Sequence, residues 1–188
     1  PTKVAQRVQF SFRQGSDSVS ALRIIPPGER LTFDVNEVVG ASAENWLGIG
    51  TLDVESEVPL SVVGWSVADN RNGDALVTVL PVVRGIPANP VTVLPNVTIG
   101  GGYRTDVILL NPHDESVQGE VSVRDETGQE IERERYVLEP RSSFVWRPSG
   151  NGLIVRTRYV VVYPHSPDTP SVAALVSRWE EGLITMGA

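Results

Sequence analysis

The chain has 188 residues, 40% of them hydrophobic, enough for one large β domain or two of ordinary size with a real core. A net charge of −7 without a dense basic cluster excludes a face for phosphate backbones, so no nucleic acid partner is expected. The absence of cysteine excludes disulfides, Cys-ligated zinc, iron–sulfur clusters and thiol catalysis, and no apolar run approaches the ~20 residues of a bilayer span.

Alternation with a period of two dominates the chain and predicts half-buried antiparallel strands. In the first half, strands are expected near 5–13, 19–25, 30–34, 47–54, 59–68 and 75–81. Val8, Phe10 and Phe12 alternate there with Gln9, Ser11 and Arg13, and Leu31 and Phe33 flank Thr32. Asp34-Val35-Asn36-Glu37 has the spacing of a capping box and predicts one turn of helix. In the second half, strands are expected near 91–99, 103–111, 119–125, 130–138, 142–147, 153–163, 172–179 and 182–187. Pro95 makes the first of these an edge strand or a broken one. Asn70-Arg71-Asn72-Gly73 and Asp125-Glu126-Thr127-Gly128 are hairpin-type turns.

The chain repeats itself. Phe10-Ser11-Phe12-Arg13 matches Val121-Ser122-Val123-Arg124, and the run from Ile25 to Phe33 matches the run from Leu138 to Trp146. Val58-Pro59-Leu60-Ser61 matches Thr169-Pro170-Ser171-Val172, and the run from Asp74 to Thr78 matches the run from Glu181 to Thr185. The order is the same in both halves. Residues 1–84 are one repeat, 85–90 a stiff Pro-containing linker, and 91–188 a second repeat. The two strands that open the second repeat have no counterpart in the first. The expected fold is therefore all-β: two tandem immunoglobulin-like antiparallel β-sandwiches, the first lacking about two strands. An incomplete sandwich leaves unpaired backbone groups and bare apolar side chains along an edge. Another subunit, a separate upstream chain, or residues ahead of Pro1 could fill the gap.

Gly100-Gly101-Gly102-Tyr103-Arg104-Thr105 leads into a strand ending Leu110-Asn111-Pro112. A Gly-containing hairpin follows at 125–128, then the Pro-containing turn Glu139-Pro140-Arg141-Ser142-Ser143-Phe144. This segment resembles an uncharacterised immunoglobulin-like repeat of secreted bacterial proteins. The resemblance covers the second repeat nearly end to end and the first from about Val8. It implies an extracellular β-sandwich often found in tandem, and no catalytic residues. The likeness to strand-exchanging pilus subunits is one of architecture only.

The expected function is a non-enzymatic extracellular structural subunit, secreted or on the cell surface, that assembles by β-strand complementation into a filament or surface oligomer. Its partner would be another copy or another β-rich chain. No cofactor, metal site or membrane insertion is expected. The docking site is expected at an open edge around Val8, Phe10 and Phe12. The alternative is an extracellular binding module, an adhesin or carbohydrate-associated domain, with Trp46 and Trp179 as an exposed aromatic platform. Trp65 and Trp146 are expected in the core. His113-Asp114-Glu115-Ser116 holds the residue types of a nucleophilic triad, but neighbours in one loop do not converge as a triad requires, so His113 reads as an exposed loop histidine. The run 69–74 resembles a calcium loop with its glycine one place early and Arg71 where an oxygen ligand belongs, so it reads as a turn. Asn96-Val97-Thr98 is a glycosylation sequon placed at a strand end.

Overall fold

The computed structural model describes residues 4–14, 17–40, 51–69, 73, 75–80, 82, 91–150, 152–181 and 183–187. By their contacts, the residues fall into two compact units, Pro1–Val62 and Val63–Ala188. This division lies ahead of the linker expected at 85–90, which is outside the described residues. The protein is almost entirely β, with one four-residue helix among the described residues.

The first unit holds β1 (Gln6–Gln14), β2 (Asp17–Ile25), the helix α1 (Asn36–Val39) and β3 (Thr51–Ser56). They form an antiparallel sheet ordered β2-β1-β3. The alternation in β1 has the expected consequence. Phe10 stands opposite Ala21 and Val54, and Phe12 opposite Val19 and Leu52, so one face of all three strands is apolar. Phe33, Val38 and Leu60 cover that face, with the Phe33 ring edge-on to Phe10 at 4.5 Å between centroids. The helical turn starts where the capping box predicts. The Asp34 N–H donates to Glu37 Oε1 at 3.0 Å, and the Asn36 N–H donates to Asp34 Oδ1 at 2.8 Å.

Residues 30–34, expected as a strand, are not one. Their counterpart in the second half, β10 (Ser143–Trp146), pairs with β7 (Tyr103–Leu110). No strand equivalent to β7 is described beside residues 31–34. Alternation without a ladder partner leaves the segment irregular, although Phe33 still packs inward as Trp146 does.

The second unit begins with β4 (Gly64–Asp69) and β5 (Ala75–Leu80), an antiparallel pair. Two four-stranded sheets follow, built from β6 (Thr92–Ile99), β7, β8 (Val117–Arg124), β9 (Glu130–Leu138), β10, β11 (Arg156–Pro164), β12 (Ser171–Glu180) and β13 (Leu183–Gly187). One sheet is ordered β10-β7-β12-β13 and the other β6-β11-β8-β9. Their inner faces share one core. Val107, Leu109 and Trp146 come from the first sheet, and Val97, Val121, Val123, Leu138, Val160 and Val162 from the second. β6 is an edge strand, as Pro95 requires. Its ladder with β11 slips at Arg158/Val160, beside Asn96 at φ 60°. The turn 125–128 forms as expected. Asp125 Oδ1 accepts from the Thr127 N–H, the Thr127 hydroxyl and the Gln129 N–H. These hydrogen bonds, the Thr127 hydroxyl first, hold the Asp125 carboxyl below its usual range.

The repeat seen in the sequence is a repeat of register. β1 pairs with β2 and β3 as β8 pairs with β9 and β11. Phe12 faces Leu52 and Phe10 faces Val54; Val123 faces Val160 and Val121 faces Val162. The β4–β5 hairpin aligns in sequence with β12–β13 but not in register: Val67 faces Val77, whereas Arg178 faces Met186 and the β12–β13 ladder slips at Arg178/Trp179. No counterparts of β6 and β7 appear among the described residues of the first half.

Candidate functional site

The residues expected at a docking edge are not at one. β1 is the middle strand of its sheet, bonded to β2 and β3, so Val8, Phe10 and Phe12 lie between two ladders. Val8 and Phe10 are buried and Phe12 is half-buried. The edges left open among the described residues are those of β2 and β3. Pairing order is set by contacts remote in sequence, so alternation within β1 identified its buried face but not its place in the sheet.

Of the expected aromatic platform, Trp46 lies outside the described residues. Trp179 sits on β12, half-buried and stacked under Arg104, whose guanidinium is 5.5 Å from the ring centroid. Its indole N–H donates to Ser177 Oγ at 2.9 Å. Trp146 is in the core as expected. Trp65, expected in the core, is exposed. It stands opposite Val79 on the β4–β5 pair, and Val67 stands opposite Val77. With Val63, these side chains are 51–70% exposed and make one continuous apolar face. A two-stranded ribbon has nothing to lay over one of its faces, which is why the alternation predicts burial and the fold does not supply it.

His113 also departs from expectation: it is buried. Its Nε2 lies 3.0 Å from the Thr169 carbonyl oxygen, which can only accept, so Nε2 carries the proton. Nδ1 lies 3.6 Å from Asp168 Oδ1. Both nitrogens are directed at 168–169 and neither at Ser116, whose hydroxyl is 3.4 Å from Glu139 Oε2. His113 thus fastens a loop and does not form a triad. His165 is exposed.

The organiser of that end of the sandwich is Asn111, fully buried at the end of β7. Its amide nitrogen donates to the carbonyls of Glu115, Leu138 and Glu139 at 2.8, 3.3 and 2.9 Å. Its Oδ1 accepts from the His113 N–H at 3.0 Å. The Asn-Pro signature is therefore structural: the side chain ties the 111–116 loop to the end of β9.

The Gly100-Gly101-Gly102 turn is equally specific. The three φ values are 87°, 58° and 86°. A Cβ at Gly100 would lie 2.4 Å from the Ile154 carbonyl oxygen, and one at Gly102 would lie 2.6 Å from that of Trp179. The Gly101 N–H donates to the Gly152 carbonyl at 2.9 Å, and the Trp179 N–H to the Gly102 carbonyl at 2.8 Å. Only glycine allows these approaches. The loop under this turn spans residues 152–155; its residues 153–155, expected as the start of a strand, instead present Leu153, 96% exposed, with Ile154 and Val155. A hollow of about 390 Å³ lies there, lined by Ile99, Gly100, Leu153, Ile154, Arg156 and Arg158. Its described lining carries guanidinium groups and no carboxylate, imidazole or hydroxyl, so it has no group for general acid–base chemistry.

Among the described residues, no three His, Asp or Glu side chains gather as a metal-binding group. The calcium-like run at 69–74 lies mostly outside them. On the outer face of β8 and β9, Arg133 pairs with Glu120 and Glu130. The hydrogen bond from Arg133 holds the Glu130 carboxyl below its usual range.

Among the described residues, Tyr136 is the strongly shifted group in the core. Its ring packs over Gly119, where a Cβ would meet the hydroxyl at 2.5 Å, and the hydroxyl has no hydrogen-bond partner. Burial pushes the phenol up from 10.0 to about 12. A raised pKa in the fold adds stability that is complete below the unfolded value and is lost as pH rises toward the folded one. Melting temperature should thus fall between pH 10.0 and about 12 for a reason specific to this residue. Absorbance titration should show one of the four tyrosines ionising late. Tyr136→Phe should remove both effects. At neutral pH that variant should be neutral or up to about 1 kcal/mol more stable, because an unpartnered hydroxyl leaves the core.

The class defined by these features is an all-β protein of antiparallel sheets. No protein-family model, no curated protein and no solved structure matches the chain.

Proposed function

We propose that the chain is a non-enzymatic extracellular structural subunit that assembles by β-strand complementation into a filament or surface oligomer. Its core would be a tandem of immunoglobulin-like sandwiches, the first lacking two strands. The observation that carries this reading is the far edge of β3. β3 corresponds in register to β11, and β11 carries β6 on the edge that β3 leaves unpaired among the described residues. Unpaired strand edges are templates for another chain. The immunoglobulin order is supported by two pairings, β7 with β10 and β8 with β11, which correspond to B–E and C–F. The outer strands are exchanged relative to that order: β6 joins β11 and β12 joins β7.

Sedimentation of the purified chain over a wide concentration range, with negative-stain imaging, tests the reading. The expected result is concentration-dependent assembly into a filament or a defined oligomer. A well-folded monomer at high concentration overturns it. The second reading, an extracellular binding module, draws on the exposed ring of Trp65 rather than on Trp179, which Arg104 covers.

A further inference from the structure

We propose that the open edge of β4 is a docking site for a single β-strand of the β7 type, supplied by a separate polypeptide. The inference rests on the reading above, that the first repeat is completed by added strands, and names the acceptor edge and the chemistry of the donor.

The acceptor is defined by the internal repeat. Continuing the match of Val58-Pro59-Leu60-Ser61 with Thr169-Pro170-Ser171-Val172 without a gap sets Val63, Trp65 and Val67 against Ala174, Val176 and Arg178. In the second repeat those three residues face Val107, Thr105 and Tyr103 of β7 across the ladder. Among the described residues β4 has no such neighbour; it pairs with β5 alone, residue for residue and without a bulge. β5 comes near β13 without pairing with it, so both edges of the ribbon are unpaired among the described residues, and the sequence repeat singles out that of β4. The apolar face of Val63, Trp65, Val67, Val77 and Val79 flanks this edge. A two-stranded ribbon with so much bare apolar surface is marginal in water and gains from a third strand.

The donor follows from what fills the equivalent place. β7 runs antiparallel to β12 and sends Thr105, Val107 and Leu109 into the core. A donor of the same type carries an aromatic residue, a threonine and two aliphatic residues at alternate positions, set opposite Val67, Trp65, Val63 and Ser61 in that order. The chain's own β7 is not that donor. It is bonded on both edges, to β10 and β12, and Val107 and Leu109 are fully buried. Moving it to β4 would open the second repeat by as much as it closed the first. The donor we assign is a strand of another polypeptide, one not already folded into a sheet, as in donor-strand complementation.

The test titrates the full chain with a synthetic peptide of residues 103–111. The control is the same peptide carrying the V107K and L109K substitutions. The expected result is saturable binding with a blue shift of tryptophan emission. That shift should be absent in Trp65→Phe, and new amide-exchange protection should appear in residues 64–68. Trp65→Lys should weaken binding about tenfold or more, since it places a charge on the covered face. Because Trp65 is exposed, its melting curve should match that of the parent chain, so lost binding cannot be lost folding. Binding of the control peptide with equal affinity, protection confined to other strands, or no binding at millimolar peptide overturns the proposal. Sedimentation of the chain without peptide separates this site from assembly. A monomer that still protects β4 upon peptide addition keeps the docking site and overturns self-assembly; an assembling chain that ignores the peptide does the reverse.

Discussion

Asn111→Ala is expected to lower the stability of the second unit by about 3–5 kcal/mol. The side chain satisfies three carbonyls and one N–H in a place without solvent access. Each buried group left without a partner costs about 1–3 kcal/mol, and alanine strands several at once. Asn111→Asp should be no milder. It keeps the acceptor for the His113 N–H but turns a second oxygen toward three carbonyl oxygens. Guanidinium denaturation followed by the fluorescence of Trp146, which is in the core of this unit, reads the effect as a lower midpoint. A loss under about 1 kcal/mol would mean that the loop relaxes and water replaces the amide.

Gly100→Ala is expected to cost about 3 kcal/mol, and Gly128→Ala about 1 kcal/mol, although both glycines have φ 87°. The difference isolates the close approach from the backbone strain. At Gly128 the nearest atom to an added Cβ is the Tyr159 hydroxyl at 3.6 Å, an ordinary contact. At Gly100 it is the Ile154 carbonyl oxygen at 2.4 Å, backbone that can move only by displacing the 152–155 loop. The same denaturation experiment on the two variants checks the ordering. Equal losses would show that the loop yields freely and that only the dihedral matters.

Much of the fold was legible because its signals are local. Period-two alternation located the strands of the second half to within a few residues, and turn chemistry at 125–128 and the capping box at 34–37 formed as read. Pro95 marked β6 as an edge. The weak sequence repeat proved to be a repeat of pairing register where β1, β2 and β3 match β8, β9 and β11, which short matches could only imply. What sequence did not reveal was non-local. Residues 31–34 have strand alternation but no ladder partner among the described residues. His113 has polar neighbours in sequence, yet Thr169, 56 positions away, gives it a buried acceptor. Trp65 shares parity with core positions of β12, but parity states which face a side chain takes and not whether anything lies over that face. Val8, Phe10 and Phe12 failed as an edge for the same reason. Their burial was readable from alternation, whereas the central position of β1 depends on β3, some forty residues later.

Two of the edge strands, β6 and β4, are treated differently by the sequence. β6 carries a proline and a left-handed asparagine that break its ladder, so a second molecule cannot align along it. β4, Gly64-Trp65-Ser66-Val67-Ala68-Asp69, has neither, and its ladder with β5 is unbroken. Among the described residues, this ribbon and the 153–155 loop are places where bare apolar surface can meet a second molecule. A net charge of −7 repels molecules only within a Debye length of about 10 Å, so at contact short-range features such as this unbroken apolar ribbon decide whether two molecules adhere.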